Sequence, residues 1–248
     1  MSSIFFALFA LLLEPAPARS AEILAAAAAS LAPLKDDLAS EFQRVSGHQV
    51  RFVFHSSGML ARQIANGAPY DVYLSANQRY VRQLLDSGDL LPETLRLYAY
   101  GRLGLWAPEG GVRTLEELAA PAVRRLAMPN PAHAPYGVAA RQALARRGLW
   151  ERLKPKIVLG ENVRQAFQYA ESGNVDAVLT AWTFVARRGA VLVPEKWHEP
   201  IRQTGAVVSR SARREAAERF LGFLLGEEGR RILEKHGLFP PDRPGAGR

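Results

Sequence analysis

Four short stretches bring together small residues, hydroxyls and turns in a way that suits a buried anion: Ala29-Ser30-Leu31, His55-Ser56-Ser57-Gly58, Pro135-Tyr136-Gly137 and Glu161-Asn162-Val163. Each follows a strand-like segment and precedes a helix-like one. The first N–H groups of a helix lack intrahelical acceptors and carry partial positive charge, so such junctions bind anions without a counter-ion. Gly58 lets a backbone approach closely. Ser30 is also placed to cap a helix starting near Leu31, and capping alone would account for an isolated serine. Four junctions, two in each half of the chain, suit an anion held by neutral donors between two lobes.

Other chemistries find little support. The chain has no cysteine, which excludes disulfides, thiolate metal sites and a cysteine nucleophile. No G-x-G-x-x-G follows a strand, no phosphate-binding G-x-x-x-x-G-K-[ST] is present, and no G-x-S-x-G surrounds Ser56 or Ser57. His48, His55, His133, His198 and His236 show no H-x-x-x-H or H-E-x-x-H spacing, so a zinc hydrolase is unsupported and no enzyme is expected. His55 and His133 lie near the junctions and read as polar loop residues. The net charge of +8 is spread over arginine pairs on helix-like segments, with no basic run interleaved with aromatics, so no nucleic-acid partner is expected. Asp71 reads as structural, because a carboxylate facing an anion would repel it.

The elements that must position the junctions alternate along the chain. Glu22–Ala28 reads as a strand, and Leu31, Leu34, Leu38, Phe42 and Val45 follow at helical spacing until Gly47. Gln49–His55 is a strand, Met59–Ala65 a short helix, Tyr70–Leu74 a strand and 77–87 a helix. Leu97–Trp106 alternates like one longer strand. Beyond Pro108-Glu109-Gly110-Gly111 come strands at Arg125–Met128, Ile157–Leu159 and Val175–Thr180, with helices at Gly137–Arg146 and Val163–Glu171. A late strand at Ala206–Ser209 precedes a helix over 211–224. The alternation predicts an α/β fold with mainly parallel sheets, whose ligands bind beyond the carboxyl ends of the strands.

Residues 4–13 (IFFALFALLL) form an unbroken apolar run, shorter than the roughly 20 residues needed to span a bilayer. With Pro15, Pro17 and the small residues of Ala18-Arg19-Ser20-Ala21 behind it, the run reads as an export signal over 1–21.

The stretches AAASL, SSGxLARQIANGAPYDVYLSAN, NPxxAPYGxAARQAL and ENVRQAFQYAESGNVDAVL occur in this order. Together they resemble the periplasmic molybdate-binding proteins of ABC transporters, from Glu22 to about Pro240. The resemblance implies a type II periplasmic-binding-protein fold with two lobes, one from 22–102 plus 206–248 and one from 103–205, closing on a tetrahedral oxyanion. It implies ligand hydroxyls on Ser30 and Ser57, backbone donors at Ser57, Tyr136 and Val163, and molybdenum held only as its oxyanion, with no direct metal ligand. Many members of that family carry a tyrosine where this chain has Thr180, so Thr180 is the fifth candidate contact. The resemblance further implies a periplasmic monomer without cofactor that serves an inner-membrane ABC permease.

A fully ionised molybdate, tungstate or sulfate needs donors only, whereas phosphate can arrive protonated and gains from an acceptor carboxylate. The junctions supply donors, which favours the fully ionised group. Molybdate and tungstate are the expected ligands, and sulfate is the alternative. Export is checked by the intact mass of protein from a periplasmic fraction: a chain starting near Ala21 is expected, and the full-length mass in the cytoplasm would refute it.

Overall fold

A computed structural model describes residues 20–241, so most of the expected export segment lies outside the described residues. The strands are β1 (Glu22–Ala28), β2 (Gln49–His55), β3 (Val72–Ser75), β4 (Arg96–Gly101), β5 (Leu103–Trp106), β6 (Leu126–Pro129), β7 (Ile157–Gly160), β8 (Ala177–Ala181), β9 (Val191–Leu192) and β10 (Ile201–Val207). The helices are α1 (Lys35–Ser46), α2 (Ser57–Ala65), α3 (Gln78–Asp86), α4 (Pro135–Arg146), α5 (Trp150–Leu153), α6 (Val163–Glu171), α7 (Trp182–Val185), α8 (Arg214–Leu225) and α9 (Glu227–Lys235).

Two five-stranded sheets, in the orders β2-β1-β3-β10-β4 and β7-β6-β8-β5-β9, define two lobes. The sheets are mixed, not mainly parallel. β1 runs parallel to β2 and β3, and β6 parallel to β7 and β8, but β10 and β5 are antiparallel to both of their neighbours. Helical crossovers build the parallel pairs, while the segments that pass between lobes return in the opposite direction.

The expected single strand over Leu97–Trp106 is two strands in different sheets, β4 and β5, parted at Arg102. Apolar residues run on from β4 into β5, which is buried along its whole length, and this continuity hid the break. The chain re-enters the first sheet at Ile201, five residues earlier than the late strand read from the sequence.

Each sheet is covered on both faces. In the first lobe Ile23, Ala25 and Ala27 face Leu38, Phe42, Phe220 and Leu233 from α1, α8 and α9, and Ala26 on the opposite face meets Leu60, Ile64, Val81 and Leu84 from α2 and α3. A central strand with helices on both sides has no solvent face, so alternation gives way to a continuous apolar run. Small side chains there let both helix layers approach. The run continues past the strand: Ala28 and Ala29 join a cluster with Tyr136 and Val163, which belong to the second lobe. The alanines thus bring the end of β1 against the opposite lobe.

Asp71 is structural, as its chemistry suggested. Buried to 2% exposure, it accepts from Leu24 N–H at 2.7 Å and Ser211 Oγ at 2.6 Å, tying β1 to the chain after β10. Asp71→Ala is expected to lower stability by about 1–3 kcal/mol, since it strands buried donors. Arg213→Ala, which removes a half-exposed ion pair at 3.6 Å, should cost less than about 1 kcal/mol. Urea denaturation of the two variants checks the difference.

Candidate anion-binding site

The site lies where the carboxyl ends of β1, β2 and the β6–β7 pair face one another across the lobes. Ser30, Ser57, Tyr136 and Val163 line one small cavity there, together with Ala28, Ala29, His55, Ser56, Ala76, Ala134, Pro135 and Asn162. No carboxylate, lysine or arginine is among these residues. Thr180 is not brought to it. Its hydroxyl donates to the Val163 carbonyl at 2.9 Å, which spends its only proton one layer behind the cavity.

Ser30 does not cap a helix. It lies inside a 3-10 turn, Ala29–Leu34, with no side-chain cap, and α1 starts only at Lys35. The early proline, Pro33, delays the α-helix because it lacks a donor and constrains the residue before it. Ser30 Oγ is buried yet makes no hydrogen bond. A buried hydroxyl without a partner costs stability, and at the edge of a cavity it leaves a bond for a ligand to complete.

Ser57 is the first residue of α2, and its Oγ accepts from Ala76 N–H at 3.0 Å. That bond occupies an acceptor lone pair and leaves the hydroxyl proton for the cavity. Tyr73 Oη donates to the Ser57 carbonyl at 2.7 Å, which fixes this turn from behind. Tyr136 follows Pro135 at the start of α4, and Val163 opens α6. Among the described residues no acceptor takes the N–H of Ser57, Tyr136 or Val163.

Asn162 caps α6, its side-chain oxygen accepting from Arg164 N–H at 3.0 Å and Gln165 N–H at 3.2 Å. Its oxygen is therefore engaged, and the cavity is edged by donors. The Glu161-Asn162-Val163 stretch signalled a junction in the sequence, but the cap became legible only with the helix boundary.

The lobes touch around this cavity. Ser56 Oγ meets His133 Nδ1 at 2.9 Å, Gly58 N–H donates to the His133 carbonyl at 3.0 Å, and Thr183 Oγ1 donates to the Ser30 carbonyl at 2.8 Å. A Cβ on Gly58 would stand 2.9 Å from that carbonyl, so glycine is needed for this approach. Cross-lobe pairs of this kind bring together residues 75 to 153 positions apart, and nothing in a local pattern announces them.

The chain matches the family model described as bacterial extracellular solute-binding protein over residues 23–239. It belongs to that family. Among relatives of this solute-binding protein, the molybdate-binding protein ModA of Azotobacter vinelandii is 34% identical over 229 residues, covering 89% of this chain and 90% of the relative. The ModA of Rhodobacter capsulatus is 31% identical over 225 residues, with 89% of each chain covered. In structure, the Azotobacter vinelandii periplasmic molybdate-binding protein superposes with a TM-score of 0.85 at 30% identity, over 89% of this chain and all of that one. The two-lobed α/β fold is that of periplasmic binding proteins.

Desolvation lowers the pKa of His133 from its ordinary 6.5, with Glu161 opposing and His55 and Arg62 adding to the shift. Desolvation likewise lowers that of His198. A group held below its unfolded value binds fewer protons when folded, so stability is full above about pH 6.5 and falls as pH drops toward the lower folded values. Melting temperature in the absence of ligand should therefore decline from about pH 7 to pH 5. A variant carrying His133→Asn and His198→Asn should show a flatter profile in that window. The carboxylates of Asp37 and Asp176, held below 3.8 by Lys235 and by the Arg125 backbone respectively, add their loss only further down.

Proposed function

We propose that this solute-binding protein captures molybdate, and tungstate equally, outside the cytoplasmic membrane and delivers it to an ABC permease. The observation that carries the reading is the donor-edged cavity between the lobes. It holds no charged side chain, and its Ser57 and Asn162 oxygens already accept hydrogen bonds. A fully ionised tetrahedral anion offers acceptors only and suits such a lining, whereas a protonated one would lack a partner for its proton. The molybdate-binding names of the relatives support the choice within that class. In this reading Ser30 and Ser57 donate through their hydroxyls, and Ser57, Tyr136 and Val163 through their backbone N–H groups. Thr180 acts indirectly by holding Val163. The role is binding and release, without catalysis.

Sulfate has the same charge and the same donor requirement, and it is the second reading. Being smaller, it leaves donors at longer range, and each poorly satisfied buried donor costs about 1–3 kcal/mol. Calorimetry of the mature protein should give similar affinities for molybdate and tungstate and a much weaker one for sulfate. Equal affinity for sulfate and molybdate would overturn the assignment.

Ser30→Ala and Ser57→Ala should each weaken molybdate binding roughly ten- to hundredfold, the worth of a hydrogen bond to a charged group. Their stabilities should diverge. Ser30→Ala removes an unpartnered hydroxyl and should leave the ligand-free melting temperature unchanged or raised. Ser57→Ala strands Ala76 N–H and should lower it.

A further inference from the structure

Among the described residues, Ser30 is the one cavity serine whose hydroxyl is not tied into a bond already in place. Ser57 Oγ is filled from behind by Ala76 N–H, and Ser56 Oγ by its contact with His133. Ser30 Oγ has no hydrogen-bond partner. Tyr136 lines the same cavity, and its phenol lies close enough to Ser30 to interact with it.

The phenol is anchored from the far side. Tyr98 Oη donates to Gln203 Oε1 at 3.4 Å, and the amide nitrogen faces the other way. Gln203 Nε2 then donates to Tyr136 Oη at 3.2 Å. All three side chains are buried. Gly101 makes room for this chain, because a Cβ there would collide with the Tyr136 hydroxyl. A phenol has one proton, and with Gln203 as its donor that proton is free to point away from Gln203. Burial pushes the phenol's pKa up, so it stays protonated.

We propose that the Tyr136 phenol, held by Gln203, is a positioning residue that donates to Ser30 Oγ when an anion is bound and thereby turns the Ser30 proton onto the ligand. The donor direction then runs one way, from Tyr98 through Gln203, Tyr136 and Ser30 to the anion, and each bond polarises the next. Tyr136 serves the site twice, by its backbone N–H and, through Ser30, by its side chain. The consequence is selectivity. With one lone pair taken by Tyr136 and its proton turned onto the ligand, Ser30 meets the anion as a donor, and an anion that carries a proton finds a poorer acceptor there. This deepens the oxyanion reading above and rests on it.

The test is calorimetry with molybdate on the wild type, Tyr136→Phe, Ser30→Ala and the double variant, with phosphate at pH 6 and pH 8 as a second titrant. Tyr136→Phe keeps the ring and the backbone donor and removes only the proton. It is expected to weaken molybdate binding roughly tenfold, while the double variant binds no more weakly than Ser30→Ala alone. Freed to accept, Ser30 in Tyr136→Phe should narrow the gap between phosphate and molybdate, most clearly at pH 6, where phosphate is more protonated. A purely structural phenol would not move that ratio. Wild-type affinity in Tyr136→Phe, or losses that multiply in the double variant, would overturn the proposal and leave the oxyanion reading standing. Absence of molybdate, tungstate and sulfate binding by the wild type would overturn both. If Tyr136→Phe fails to fold, Gln203→Met removes the same donor one step back and carries the same expectations.

Discussion

Taking an ion out of water costs far more than any single hydrogen bond returns, so a buried anion must be met by many donors at once. On the oxyanion reading proposed above, that requirement governs this molecule. A lysine or arginine would supply charge, but it would also attract other anions and resist release. Neutral donors must instead be numerous and fixed before the ligand arrives. Helix starts provide them, because their first N–H groups are left over by the geometry of the helix itself. The two lobes place three such starts, α2, α4 and α6, around one cavity.

The surrounding packing serves that arrangement. Alanines at the end of β1 admit Tyr136 and Val163 from the other lobe, Gly58 admits the His133 carbonyl, and Gly101 admits the Tyr136 ring. Where the backbone of one lobe approaches the other, side chains shrink. Two of the proposed donors are fixed from behind, Ser57 by Tyr73 and Val163 by Thr180, and Asn162 caps α6. Thr180 shows how a position can serve a site without touching it.

Much of this was legible in the sequence. The α/β alternation, the four junctions and the structural part played by Asp71 follow from local patterns of apolar spacing, hydroxyls and glycine. What escaped was non-local. The break at Arg102 is invisible because the apolar pattern of β4 runs on into the wholly buried β5. The antiparallel setting of β10 depends on a partner more than a hundred residues away in β4. Ser30 looked like a cap, and only the 3-10 turn imposed by Pro33 shows that it is not. Gln203 carried no signal, since a glutamine in a strand gains its meaning from Tyr98 and Tyr136 alone.

The position of β10 between β3 and β4 bears on how the chain comes to be folded. The second sheet is drawn from one continuous stretch, Leu103–Leu192, and can assemble as soon as that stretch is available. The first sheet cannot. Its fourth strand in spatial order is its last in the chain, so β4 has no sheet neighbour until Val207 has been made. Non-local closure of this kind is slow, because a long loop must be ordered before its contacts stabilise it. If the chain is exported unfolded, the delay is useful: the first lobe stays incomplete, and so transportable, until β10 has been synthesised.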